Sequence, residues 1–222
     1  MPILAKNGTF LVRVFDEDID DNGIYVIPNS VIEIKPFAFK NLSKLKEVVF
    51  HSNIRNINTG AFQNCVNLKF LELPNSIVNI GNCAFYNCRS LEYVVLPKNL
   101  TVLKNYVFRN CVNLKTILIP NTVTLFWDGC FRNCTSLEYF SIPPNITLIG
   151  NYCFYRCTSI PNTLHFPKSL GYIGKHCFQY SSVKEPIFSS RTMLDKYAFN
   201  QNVKYNLPAP YNVVVLQRKN KI

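Results

Sequence analysis

Nine cysteines, three histidines and one acidic stretch are the groups in this chain whose types and spacing suggest metal binding, cross-linking or catalysis. Cys65, Cys88, Cys111, Cys134 and Cys157 recur every 23 residues, and Cys130, Cys153 and Cys177 stand where Ala38, Ala61 and Ala84 stand earlier. Cys130/Cys134 and Cys153/Cys157 have the i, i+4 spacing at which paired thiolates hold zinc. A column that exchanges Ala for Cys, however, asks only for a small interior residue, so buried free thiols are expected instead of a metal. The odd total also argues against a disulfide framework. Asp18-Ile19-Asp20-Asp21-Asn22-Gly23 matches the first half of a calcium loop. Its twelfth position is Asn29, which cannot supply the bidentate carboxylate, and a turn is expected there. His51, His165 and His176 are scattered, and no nucleophile elbow, phosphate loop, paired carboxylates or HExxH is present. No catalytic residue, cofactor or metal is therefore expected, and the chain is not expected to be an enzyme.

What must position these groups is a repeat. Phe39, Phe62, Phe85, Phe108, Phe131 and Phe154 are separated by 23 residues, Phe178 follows after 24 and Phe199 after 21. Pro28, Pro74, Pro97, Pro120, Pro143 and Pro167 keep the same clock, with His51 on the one missed beat. Apolar residues recur eight and five before the Phe, as at Ile77 and Ile80, and six, nine and eleven after it, as at Leu68, Leu71 and Leu73. A single coil cannot bury such a face alone, whereas stacked coils close each other's cores. The stretch Leu68-x-x-Leu71-x-Leu73 predicts a strand, Ser76–Ile80 a second short β-segment, and the residues around the Phe one or two helical turns. Gly81, Gly150 and Gly174 suit a tight turn between them. Asn41, Asn64, Asn87, Asn110 and Asn133, two after the Phe, are expected to cap those turns or bond the next coil.

The segment Ile80-Gly81-Asn82-Cys83-Ala84-Phe85-Tyr86-Asn87-Cys88-Arg89-Ser90-Leu91 resembles the BspA-like class of leucine-rich repeats, and the likeness recurs over roughly residues 24–200. The resemblance implies a curved solenoid with a role in adhesion or protein recognition, known on microbial surfaces and as intracellular or viral products. The expected fold is a leucine-rich-repeat solenoid of about seven coils of 23 residues, with short parallel β-strands and short helical turns. Residues 1–26 are expected as an N-terminal cap, 27–200 as the solenoid, and 201–222 as a closing strand (Tyr211–Leu216) with a basic tail from Gln217 to Lys221.

At 48% hydrophobic and 17% charged residues the chain is too apolar for disorder, and its longest apolar runs, such as Val213–Leu216, are strand-sized, so no membrane span is expected. Met1–Lys6 lacks a basic start and a long apolar stretch, so an intracellular location is expected, with the sequons at Asn7, Asn41, Asn99, Asn133 and Asn145 unglycosylated. Two surfaces follow from the register. The eighth and tenth residues after each Phe face outward on the concave sheet: Glu47, Phe70, Tyr93, Thr116 and Tyr139, beside Val49, Glu72, Val95, Leu118 and Ser141. Few charges and many apolar groups there mark a protein-binding face, continuous at about 4.8 Å per coil. One residue after the Phe, a stripe of Lys40, Gln63, Tyr86, Arg109, Arg132 and Tyr155 suits phosphates and bases. The net charge of +11 is uneven: residues 1–50 carry six Lys/Arg against seven Asp/Glu, the rest eighteen against six. A protein partner is the first expectation, nucleic acid or an acidic surface the alternative, and self-association into a structural component a third.

Overall fold

The computed structural model describes residues 1–189 and 192–205 together with the strand Val214–Leu216. The chain winds into a parallel β-solenoid of eight turns, each centred on one phenylalanine of the 23-residue clock. Phe39, Phe62, Phe85, Phe108, Phe131, Phe154, Phe178 and Phe199 form one unbroken ladder, with successive ring centroids 4.5–5.8 Å apart. Seven of these rings are fully shielded from solvent and Phe199 nearly so. Burial of each ring contributes about 1.5–3 kcal/mol, and each stacked pair about 0.5–1.5 kcal/mol beyond that. The recurrent Ile, Leu and Val columns complete one continuous core.

Most turns present two strands. The longer is the segment before the proline clock, as in Phe70–Glu72, Tyr93–Val95 and Thr116–Leu118. Proline ends it because it brings no N–H to the ladder, and its carbonyl then accepts the N–H three residues on, as in Ile77 to Pro74 at 3.0 Å. The shorter strand is two residues long in most coils, as in Asn56–Ile57 and Asn79–Ile80. Coil pairs with coil in parallel, so residues 23 apart stand side by side: Phe70 beside Tyr93, Tyr93 beside Thr116. The first coil begins with an antiparallel pair, Ile3–Ala5 on Phe10–Arg13, and the second of these continues in parallel onto Glu33–Ile34. At the other end Val214–Leu216 pairs in parallel with Met193–Asp195. The first half of the expected closing strand, residues 211–213, and the basic stretch from Gln217 to Lys221 lie outside the described residues.

Three expectations change. The segments around the ladder phenylalanines are not helical; among the described residues the single helix is a 3₁₀ turn at Asp16–Asp18. The reason lies in where the N–H groups go. Ala61, Gln63 and Cys65 donate backward within the turn to Asn58, Gly60 and Phe62, while Phe62 and Asn64 donate across to Ala84 and Tyr86 of the next coil. Alternate groups leave the turn, so no helical ladder can run, and the residues two before and two after the Phe take left-handed backbone: Gly60, Cys83 and Tyr106, then Asn64, Asn87 and Asn110. Asn tolerates that conformation better than most side chains, which explains its column. The amides also bond one another from coil to coil, Asn64 to Asn41 at 2.8 Å, Asn87 to Asn64 at 2.9 Å and Asn133 to Asn110 at 2.8 Å.

Gly81, Gly150 and Gly174, secondly, are needed for coil contact and not for a left-handed turn. A Cβ on Gly81 would lie 2.4 Å from the Thr59 nitrogen, and one on Gly174 2.6 Å from that of Asn151. The long-strand sheet, thirdly, is not continuous. It is interrupted between Glu47–Val49 and Phe70–Glu72. It stops again after the single bridge from Thr116 to Tyr139, before Thr163–Phe166. The second break is where the 24-residue coil places its extra residue: Leu164 and Phe166 take the core positions one step later than their counterparts.

Candidate functional site

The long strands bury their middle residue and expose its neighbours: Leu71, Val94 and Ile117 point into the core, and the eighth and tenth positions point away from it. Phe70 is 53% exposed, Tyr93 38%, Leu118 49% and Tyr139 66%. Thr116 and Val95 are half-buried between them, while Glu72 and Ser141 are exposed. Register places Phe70, Tyr93, Thr116 and Tyr139 in one row across four coils, with Glu72, Val95 and Leu118 in a second row beside it. Glu47 and Val49 lie across the interruption, paired instead with Ile24 and Val26. Between the two parts opens a groove of about 680 Å³ lined by Val49, Phe50, Phe70, Glu72 and Val95 among others. Val26, 66% exposed and in register with Val49, extends the apolar row toward the N-terminus. Its signal in the sequence is the same outward spacing, in a strand taken there for part of the cap.

The second stripe is built differently. Lys40, Gln63, Tyr86, Arg109, Arg132 and Tyr155 are all half-buried along the turn edge. Lys40 lies over the Phe37 ring at 5.0 Å. The Arg109 guanidinium lies between Tyr86 and Tyr106, 5.5 and 5.4 Å from their centroids, and that of Arg132 between Tyr152 and Tyr155 at 5.1 and 4.9 Å. Tyr86 and Tyr155 belong to the same column one coil away, whereas Tyr106 and Tyr152 stand two before the Phe, outside the column read from the sequence.

The groups that suggested chemistry are used structurally. Cys65, Cys88, Cys111, Cys134 and Cys157 each donate to the carbonyl of the ladder phenylalanine one coil back, at 3.0–3.2 Å. Eight of the nine thiols are buried and Cys83 is half-buried; none is paired. In the acidic stretch, Asp18 accepts the Phe15 N–H at 2.9 Å and Asp20 the Ile24 N–H at 2.7 Å, so these carboxylates serve their own turn. His51 substitutes for proline by bonding the Pro28 carbonyl through Nε2 at 3.0 Å, and His176 stacks between Tyr152 and Tyr197. Among the described residues no helix is long and apolar enough to cross a membrane.

Burial pushes the thiols of Cys65, Cys88, Cys134, Cys153 and Cys177 well above the ordinary range, and that of Cys111 up to about 12. The folded chain therefore holds these protons longer than the unfolded one. Stability is unaffected below the ordinary thiol pKa of about 8.5 and falls as pH rises through it, by up to about 1.4 kcal/mol per thiol per pH unit. The urea midpoint is expected to drop steeply between pH 8 and pH 10.5; an unchanged midpoint would contradict burial of the column. At pH 8 a thiol reagent is expected to label Cys83 at most, and all nine cysteines after denaturation.

The model of the BspA type leucine rich repeat region matches this chain in six copies, over residues 23–138 and 126–214. The chain belongs to that family. No curated protein matches it. Among solved structures, this BspA-type repeat chain is similar to a leucine-rich repeat protein from Eubacterium ventriosum, at 22% identity over 82% of this chain and 48% of that one, with a TM-score of 0.73. It is similar to the leucine-rich repeat protein of T. pallidum, at 24% identity over 84% of this chain and 83% of that one, TM-score 0.64. It is also similar to a leucine-rich cell surface protein from Faecalibacterium prausnitzii, at 21% identity over 90% and 64%, TM-score 0.61. It spans about half the length of the first and under two thirds of the third. At such identities the likeness establishes the solenoid fold alone, while the family is one of repeat scaffolds of the kind used for protein binding.

Proposed function

We propose that this BspA-type chain is a non-catalytic scaffold that binds a protein partner through the long-strand face, taken as the concave side of the solenoid. Phe70, Tyr93, Val95, Leu118 and Tyr139 form its contact core, with Glu47, Val49, Glu72, Thr116 and Ser141 around them. One observation carries the proposal: four large apolar side chains on consecutive, mostly in-register coils stay exposed in a chain that buries its repeat columns almost completely. Aromatic groups gathered on one rigid sheet, with charge pushed to the margin, are the composition of an interface core. Residues 1–26 serve in this proposal as the cap of a scaffold spanning 27–200, and 201–222 as its closing unit. An intracellular setting is part of it, supported by the nine unpaired thiols, which suit a reducing compartment.

Tyr93→Ala combined with Tyr139→Ala is expected to lower the unfolding midpoint only modestly, since Tyr139 is mostly in water and Tyr93 more than a third so. Hot-spot aromatics contribute about 2 kcal/mol or more each to binding, so the captured partner should weaken at least a hundredfold. Undiminished capture by the folded double variant would remove the face from consideration. Sedimentation of the wild type separates a distinct partner from a second copy of the chain.

A further inference from the structure

We infer that the turn edge, on a different side from the long-strand face, is a binding ridge for single-stranded nucleic acid. Counting from three residues before each ladder phenylalanine to four after it, the turns between residues 82 and 203 hold Arg89, Arg109, Arg132, Arg156, Lys175 and Lys196 against a single acid, Asp128. That acid is already engaged: its carboxylate accepts the Asn151 backbone N–H at 2.8 Å and the Asn151 side-chain amide at 3.2 Å. Among the described residues none of the four arginines is in an ion pair. Coil spacing of about 4.8 Å brings like charges close together, and the fold offsets their repulsion with aromatic rings instead of carboxylates.

Those rings fix the guanidinium groups. Arg109 and Arg132 each lie against two tyrosines, and Arg156 lies over Tyr155 and Tyr180 at 5.5 and 5.9 Å. Stacking on a ring engages the face of a guanidinium and leaves its terminal N–H groups for phosphate. Alongside runs a groove of about 370 Å³ whose lining includes Arg89, Arg156 and the amides of Asn87, Asn110 and Asn133. The walls thus carry cations, and the floor carries side-chain amides, that of Asn133 donating to Asn110 at 2.8 Å. From the Arg89 coil to the Arg156 coil is about 14 Å at the ordinary strand spacing, the span of two or three nucleotides. Tyr180, 55% exposed at one end, offers a face on which a base can stack. Phosphate-binding cations, an amide floor and an aromatic face on one line match a flexible single strand better than a duplex, whose bases are already stacked, or a sulfated polysaccharide, which has none.

The test is anisotropy of a fluorescent twelve-nucleotide oligouridine against the full chain, from 50 to 200 mM salt. About three phosphate contacts predict a slope near −2 in log affinity against log salt. Arg89→Gln with Arg156→Gln, both at exposed positions, is expected to weaken binding at least tenfold and flatten the slope by about 1.4. The same double variant should keep its unfolding midpoint, and Lys69→Gln with Lys98→Gln, away from the ridge, should bind like the wild type. Failure of the wild type to bind at 50 mM salt would overturn the inference. So would equal affinity for a duplex or for heparin, or unchanged binding by the arginine variant.

Discussion

Phe108→Ala is expected to destabilise the protein by about 3–5 kcal/mol, the range for emptying a fully buried aromatic site. Phe108 is fully shielded and stacks at 5.4 Å on Phe85 and 5.8 Å on Phe131, so the cavity breaks the ladder at its midpoint. In a solenoid, stability is a sum of coil and nearest-neighbour contributions, and the loss falls on the two contacts that join one half to the other. Urea unfolding of the variant should therefore both shift to lower concentration and lose its single step. The sole tryptophan, Trp127, sits in the adjacent coil and reports the transition by fluorescence. A loss below about 1 kcal/mol would mean that the ladder is ornament and that the aliphatic columns hold the coils together.

Gly81→Ala is the second large effect, expected at about 3 kcal/mol, the upper end for overpacking. The new methyl would meet the Thr59 nitrogen at 2.4 Å and the Asn58 carbonyl carbon at 2.5 Å, which are backbone atoms of the preceding coil and cannot rotate away. Gly171→Ala is the internal control. There the nearest atom is the Thr147 carbonyl oxygen at 3.5 Å, an ordinary contact. Reduced freedom of the unfolded chain should leave that variant neutral or more stable by about 0.4–1 kcal/mol. Calorimetry on the pair checks the contrast, and equal melting temperatures would contradict the close approach of coils at Gly81.

The core was legible because it repeats: a phenylalanine at a fixed interval with aliphatic residues at fixed offsets leaves no other way to bury so many apolar groups. The outward rows were legible for the same reason, since alternation along a strand places Tyr93 and Val95 opposite Val94. The backbone of the turns was not. Gly60, Gly129 and the asparagine column mark left-handed positions, yet only pairing with the next coil shows that alternate N–H groups leave the turn and forbid a helix. The 24-residue spacing announced an insertion without saying that it falls between Ile160 and Leu164, where it ends the long-strand sheet. Arg132 reads alone as a solvated cation. Its sandwich between Tyr152 and Tyr155 depends on rings 20 and 23 residues away that the winding brings over it. The acidic stretch reads in sequence as a turn that lacks the bidentate ligand, and its carboxylates accept backbone N–H groups of that turn.

Which face of the solenoid meets a partner is read out by site-specific photo-cross-linking. A benzophenone amino acid is placed at Leu118 on the long-strand face, or at Val78, which is 57% exposed beside the short strand Asn79–Ile80. Each variant is irradiated in nuclease-treated native lysate. A discrete protein adduct from position 118 and none from position 78 is the expected result. An adduct from position 78 alone would place recognition on the other face and contradict the account.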